Sequence, residues 1–576
     1  MFAPISMPYN STTNTYDISP ELERLLKEKE SGKKMQERKH EDWTENYELY
    51  RNKVKTNRLT QRQAVNIPLM KETVKTMLSR IDDPPNVDWK ELGGEQQKEL
   101  IYQEIWNAQF KDNNLELIDV LDKKNVLMYG LSVKKLNIDK DGVSVYVLDV
   151  YDTLFDPLKT PWDLESSRFI IHRNIFKSVR EILADERYSE KGKDELKIWI
   201  DSAPGITQGG TNKEEWEKKM KRMEAMGVTS DKFALFAGGD RIINLTEHYT
   251  TVWDNKEQAF EKRVCVYADD SIELMNEKLV DLIGVDFWPF TMWSEDVEII
   301  DGYPDSVADL IRVPNKVLNI WFSQLIENRT LKNFQMHWFL PSENYSPQTY
   351  TPGPGVMLPA PPGDDINKVI KPVEISGLDD TLLAIDQITK IVERGTGATA
   401  IDKGQSEQGQ QTLGEIQILV GKANERVTAM AKFYRLSWYE LATKWDKMMH
   451  ANAPKLLKLY KKGRSGKIYP KRVFMNEWKS EAGYEPTVRS TSEQESETVK
   501  GIQKFTFILQ QFPNNQALRT ISQKRMLEML DLTPEELKQV EDSEKQAIPM
   551  QEAQPAGGQT PQLMSDIQNQ MMQLKS

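Results

Sequence analysis

LDDTLLAIDQITKIVERGTGATAIDKGQSEQGQQTLGE, residues 378–415, is the stretch on which the organisation of the chain turns. Its first half is a helix by periodicity. Leu378, Leu382, Ile385, Ile388 and Val392 step by four, three, three and four, which makes one apolar face. Asp379 and Asp380 stand at its start and Lys390 and Arg394 at its end, the signs that suit the two poles of a helix dipole. Gly395 then supplies a stop. Residues 395–411 hold four glycines and four glutamines and read as a flexible loop. A loop of that length between two strongly specified helices is uncommon unless it has a task. Thr412-Leu-Gly-Glu415 is a capping box. The helix it opens runs to about Asn452, which is roughly 60 Å at ~1.5 Å per residue. Tyr434, Trp438, Leu441, Trp445 and Met448 mark its buried side.

Upstream, a helix begins near Pro304 and carries Val307, Leu310, Ile311, Leu318 and Trp321; Pro314 is expected to kink or interrupt it. Residues 331–363 then change character. They contain seven prolines, two charged side chains (Lys332 and Glu343) and five large aromatics, Phe334, Trp338, Phe339, Tyr345 and Tyr350. Such a segment is too apolar for a solvated loop and too irregular for a core, so an extended segment packing against neighbouring subunits is expected. Nearer the N-terminus, residues 20–117 have a helical pattern, and a β-hairpin is expected over 130–150 with its turn at Lys140-Asp141-Gly142. Strands follow at 242–252 and 264–268, after a polar excursion over 204–239. Residues 461–496 read as a polar stretch, and three helices are expected over 495–511, 516–530 and 534–545.

The chain has 576 residues, 39% apolar and 28% charged, an ordinary globular balance with room for more than one domain. No apolar run is long enough for a membrane span. A single cysteine, Cys265, excludes disulfide scaffolds and CxxC sites and fits a reducing compartment. The net charge of −12 is poorly suited to tight DNA binding, which needs Lys and Arg to displace phosphate counterions.

The order helix, Pro-rich aromatic excursion, amphipathic helix, loop, very long helix resembles that of the portal proteins of tailed double-stranded DNA phages. The local wording is also similar: Asp301-Gly-Tyr-Pro-Asp-Ser-Val-Ala-Asp-Leu310 followed by Asn319, Pro352-Gly-Pro-Gly-Val356, and Gly395-Thr-Gly-Ala398. The resemblance implies an α+β fold, mainly helical, with a small β-rich wing and an extended clip. The N-terminus, 1–20, reads as disordered and the wing occupies 21–300. The first stem helix is then 301–330, the clip 331–377, the second stem helix 378–394 and the tunnel loop 395–411. The long wing helix covers 412–455, further wing and crown helices 456–546, and a flexible tail 547–576.

The resemblance further implies a cyclic homo-oligomer, usually of twelve subunits, at one capsid vertex of the virion, assembled in the host cytoplasm. Its partners would be the major capsid protein, scaffold protein, the terminase large subunit and head–tail adaptor or tail proteins. Double-stranded DNA would pass through it without sequence-specific binding. Asp379, Asp380 and Asp386 would give the channel a repelling wall over about a Debye length, ~8–10 Å. Lys390, Arg394, Thr396, Lys403, Gln405 and Gln410 would make short-lived DNA contacts at or in the loop. Phe334, Trp338, Phe339, Tyr345 and Tyr350 would form the clip interface. Neither a cofactor nor a membrane enters this picture.

An enzyme has little to stand on. The acidic pairs Asp82-Asp83, Asp269-Asp270, Asp364-Asp365 and Asp379-Asp380 sit in turns or at helix starts, where Asp is common. His40, His172, His248, His337 and His450 show no metal-ligand spacing, and no phosphate-binding or nucleophile-elbow motif is present. A metal-dependent nuclease, or another phage ring or scaffold component, are the alternative readings.

Overall fold

The computed structural model describes residues 19–53, 65–81, 86–139, 142–158, 162–202, 220, 222–223, 242–297, 301–333, 337–339, 370–372, 379–396, 413–453, 456–462, 468–489, 501, 504–507 and 522. The chain divides into two units, residues 1–490 and 491–576; in the second, residues 501, 504–507 and 522 are helical. Every labelled element lies in the first unit.

In chain order the elements are α1 (Pro20–Tyr50), α2 (Leu69–Ile81), β1 (Asn86–Glu91), α3 (Gln96–Asp112), α4 (Leu115–Tyr129), β2 (Leu131–Asp139), β3 (Gly142–Val147), β4 (Thr153–Phe155) and β5 (Phe169–Ser178). Then come α5 (Val179–Ala184), α6 (Glu190–Ser202), β6 (Ile242–Asp254), β7 (Ala259–Ala268), β8 (Ile272–Lys278), α7 (Leu279–Ile283) and β9 (Phe290–Ser294). The last set is α8 (Val307–Asn333), β10 (His337–Phe339), β11 (Ile370–Pro372), α9 (Asp379–Thr396), α10 (Leu413–Ala451), β12 (Leu456–Lys462), β13 (Ile468–Phe474), α11 (Met475–Trp478) and β14 (Tyr484–Arg489). The mixture is of α+β type. All strand pairs are antiparallel: a five-stranded sheet β4-β5-β6-β7-β8, a three-stranded sheet β3-β2-β9 and the pairs β1-β14, β10-β11 and β12-β13.

Aromatic side chains fill much of the core. Trp445 of α10 lies 4.8 Å from Trp106 and 5.6 Å from both Trp89 and Tyr102, ring centre to ring centre, and its indole N–H donates to Gln109 Oε1 at 3.0 Å. Trp43 of α1 meets Tyr129, Tyr151 and Tyr303 edge to face, an arrangement that aromatic quadrupoles favour. The expected buried side of the long helix is correct for Tyr434, Trp438, Leu441, Trp445 and Met448.

α1 is held largely by polar groups. Ser19 caps it, its hydroxyl accepting from the Leu22 N–H, with Pro20 in the first turn. Buried Gln36 donates to the carbonyls of Val150 and Thr153 at 2.7 and 2.9 Å and accepts from Arg173, whose guanidinium also donates to the Tyr151 carbonyl. Further along, Arg38, Lys39, Asp42, Glu45 and Asn46 meet Asp301, Asp305, Arg312, Lys316 and Asp309 on and before α8. A small separate apolar cluster, Leu22 and Leu25 against Cys265 and Tyr267, seats the first turns of α1 on the five-stranded sheet.

One face of α8 reads the backbone of another segment. Asn315, Asn319 and Ser323, four residues apart, accept from the N–H groups of Met70, Ile67 and Val65 at 2.9, 2.8 and 3.1 Å. Asn315 also donates to the Ile67 carbonyl, and Asn319 to Asn66 Oδ1. An Asn319→Ala change strips the Ile67 N–H of its partner. It is expected to cost about 1–2 kcal/mol in urea denaturation.

The structure departs from the sequence expectations at several points. α8 starts at Val307 and passes through Pro314 without interruption. β1 lies within the stretch expected to be helical, and its partner β14 is remote in sequence. Residues 456–489, read as a polar stretch and as part of a helical region, carry β12, β13, α11 and β14. Within 331–377, three residues near each end pair as β10 and β11. Residues 1–18, most of 204–239, 340–369 and 523–576 lie outside the described residues.

Candidate functional site

The expected channel residues fall on α9 and beyond it. At ~100° per residue, Asp379, Asp386, Lys390 and Arg394 lie within about 80° of one another around the helix. Asp380 is in the first turn, and the side chains of Asp379 and Asp380 lie outside the described residues. Asp386 and Lys390 form an exposed ion pair at 2.8 Å, a contact worth little in water. Arg394 is exposed in the last turn.

Thr396 is a correction. The helix extends through Gly395 to Thr396, which is therefore not part of the loop. Its side chain is buried, and its hydroxyl donates to the Val392 carbonyl at 2.9 Å. Gly395, with no side chain, lets the last residues of α9 come close to Leu310 of α8; a Cβ added at Gly395 would sit 3.1 Å from Leu310 Cδ2. Lys403, Gln405 and Gln410 lie outside the described residues, as do Phe334, Tyr345 and Tyr350. Trp338 and Phe339 sit on β10, opposite Lys371 and Ile370 of β11; their side chains are not among those described.

α8 and α9 pack on each other. The expected apolar face of α9 is only partly inward. Val392 is buried, and Ile385 and Ile388 pack against the core, but Leu382 is 58% exposed. Leu383 and Ile391, not on the expected face, are 68% and 59% exposed. On α8, Leu310, Val313 and Ile320 are exposed on one side of the helix. Leu383 and Ile391 lie off the Leu378, Leu382, Ile385, Ile388, Val392 spacing, so one-face periodicity does not mark them.

The titratable groups are mostly committed to structure. The His40 ring meets Gln36 Oε1, His248 meets Glu28 Oε2 at 3.0 Å, and His450 meets the Asp446 carbonyl. Burial pushes the His248 ring below its ordinary value, against the pull of Glu28. Glu247 lies between Lys135 and His172. Burial would raise its carboxyl, but the Lys135 ammonium beside it wins and holds it well below the usual carboxylate range. A carboxylate pinned in its ionised form by an ammonium is a weak general base near neutral pH.

Among the described residues, one group of three acidic side chains brings its oxygens within 4.8 Å: Asp254, Glu257 and Glu261, at the β6–β7 turn. The Lys278 ammonium stands against Glu257 and Glu261 and takes the place a cation would fill. Asp269 and Asp270 both adopt positive φ in a turn, and Asp270 pairs with Lys29 at 2.6 Å. No helix among the described residues is long and apolar enough to cross a membrane.

No protein-family model matches the chain, and no curated protein matches it in sequence.

Proposed function

We propose that the chain is a portal-type subunit that assembles into a ring and lets double-stranded DNA pass during packaging, retention and ejection. The observation that carries this reading is the surface of the α8–α9 pair. Two adjacent helices leave Leu310, Val313 and Ile320 of α8 and Leu382, Leu383 and Ile391 of α9 exposed; around α9, Leu382 and Ile391 flank a strip of Asp386, Lys390 and Arg394, and Leu383 lies within it. A monomer rarely exposes so many large apolar side chains on one helix pair without a partner. A further copy of the same helix pair is an occupant that fits, because a cyclic ring sets each copy's face against the next.

The polar strip then faces a lumen. Repeated around a ring, Asp386 with Asp379 and Asp380 repels phosphate at short range, while Arg394 and the 397–412 segment offer screened, non-specific contacts. The acidic net charge suits a conduit that must not hold its cargo. Capsid, scaffold, terminase and tail components are the partners of such a ring, and the virion vertex is its place. Catalysis belongs to the motor partner on this reading.

Negative-stain microscopy of the purified protein tests it: a turbine-shaped ring with a hole near duplex width is expected. The variant Leu382→Asp/Ile391→Asp is expected to abolish rings. It should cost the subunit's own stability only about 0.5 kcal/mol per site, since both positions are exposed. Rings that persist in this variant would remove the α8–α9 surface from the interface. A compact monomer with divalent-dependent nuclease activity would overturn the proposal.

A further inference from the structure

The seam between α10 and the layer of α4, β2 and β9 holds polar groups that a channel role does not use. α4 turns Asp119, Asp122 and Lys123 inward, and β2 adds Lys134; none is more than 2% exposed. The register places Ser132 opposite Trp293 and Lys134 opposite Thr291, so these four side chains share one face of the β2–β9 pair. α10 closes the seam with Tyr434, Ser437 and Trp438, all buried.

Two ion pairs are sealed inside. Lys123 Nζ meets Asp119 Oδ2 at 2.7 Å, and Lys134 Nζ meets Asp122 Oδ2 at 2.6 Å. Lys134 also donates to Ser437 Oγ at 2.8 Å, and the Trp293 indole N–H to Asp122 Oδ2 at 2.9 Å. The Lys123 ammonium lies 4.7 Å from the centre of the Tyr434 ring, which is 5.2 Å from that of Trp293. The groups are thus one contiguous cluster.

These contacts satisfy only part of it. Asp119 Oδ1, Asp122 Oδ1, Ser132 Oγ, Thr291 Oγ1, Tyr434 OH and Trp438 Nε1 are buried with no protein partner. Left dry, this many orphaned groups would cost a large part of a protein's whole stability margin. A cation is not called for, because two carboxylates already face two ammoniums. An anion is excluded by the same balance. The orphans are a mixture of acceptors, hydroxyls and one N–H donor, and a neutral molecule that donates and accepts at once serves such a mixture.

We propose that this seam is an internal hydration site: water molecules between α4, β2–β9 and α10 complete the two buried ion pairs and their orphaned neighbours.

The seam also responds to pH. Burial raises the Asp119 carboxyl from 3.8 to about 6, against the opposing pull of Lys123. The charged or titratable groups facing it are Asp122 and Lys123 on α4, Lys134 on β2 and the Tyr434 phenol on α10; β9 contributes Thr291 and Trp293, which do not titrate. With its folded value above its unfolded one, Asp119 stabilises the closed seam fully below about pH 4. That contribution is lost as pH rises through 6.

Hydrogen exchange of the amides over 430–442, corrected for intrinsic rates, tests the pH link. Protection is expected to fall about ten-fold from pH 5 to pH 7 in the native chain. In Asp119→Asn it should be flat. A native profile that is flat, or a slope that survives in Asp119→Asn, overturns the link. An experimental density map that resolves ordered water elsewhere in the core tests the hydration. Water on Asp119 Oδ1 and Asp122 Oδ1 is expected, and a dry seam overturns it. Should Asp119→Asn fail to fold, Tyr434→Phe removes one orphan hydroxyl without touching a charge and should show one ordered water fewer. Neither measurement requires a ring, so failure here and failure of the channel reading are separate results.

Discussion

Replacing Trp445 by alanine is expected to destabilise the first unit by about 3–5 kcal/mol, the range for emptying a large aromatic from a packed core. The side chain is essentially unexposed and bridges three parts of the chain: β1 through Trp89, α3 through Tyr102 and Trp106, and α10 itself. Alanine leaves a cavity walled by three rigid rings that cannot collapse into it. It also strips Gln109 Oε1 of the indole N–H. The loss is measurable as a lowered urea midpoint with an unchanged slope. The matching control is Trp253→Ala, at the exposed end of β6, where Trp253 touches Phe260. That change should cost ~1 kcal/mol or less. Equal effects at the two sites would mean that the indole cluster is not the core.

Gly130→Ala is expected to lose on the order of 3 kcal/mol or more, from two sources that add. Gly130 ends α4 at φ 86°, and an L side chain in the left-handed region costs roughly 1–2 kcal/mol. A Cβ there would also stand 2.2 Å from the carbonyl oxygen of Pro304. That atom belongs to backbone and cannot rotate aside. The strain would fall on the junction between α4, β2 and the residues leading into α8, where Ser294 also donates to the Gly130 carbonyl. Gly94 separates the two sources: its φ is 85°, with nothing within 4 Å of an added Cβ. Gly94→Ala should therefore show the conformational cost alone, about 1–2 kcal/mol, by thermal or urea unfolding. If Gly130→Ala costs no more than Gly94→Ala, the close approach to Pro304 is not real.

Local pattern carried the reading where partners are near in sequence. The hairpin at Gly142, the strands β6 and β7, the helix α9 and the 39-residue α10 all follow from spacing, caps and turn residues. It failed where the partner is far away. β1 is six residues with a mixed pattern, and only β14, from the other end of the unit, makes it a strand. β13 carries Pro470, but a two-stranded ribbon leaves its residues one side without a partner, so a missing N–H is tolerated. Pro314 was expected to break α8 for the same local reason, yet the packing of α8 against α2, α4 and α9 keeps the helix continuous. Asp119, Asp122 and Lys123 look like an ordinary solvated helix face; their burial depends on Lys134 and on α10, more than 300 residues on. Among the expected site residues, Asp386, Lys390 and Arg394 lie on the expected helix, and Thr396 falls inside it rather than after it because Gly395 was read as a stop.

Cys265 beneath the first turns of α1 gives the chain a built-in clock. It is the only cysteine, fully buried against Leu22, Leu25 and Tyr267. Burial pushes its thiol up to about 12, so almost none is thiolate at neutral pH. A thiol-reactive dye in solution must therefore wait for α1 to lift from the sheet, and the labelling rate times that excursion. Because α1 also meets α8 through its later turns, the same unmodified sulfur can report, in isolated subunits and in any assembly they form, whether engaging α8 tightens or loosens the other end of the helix.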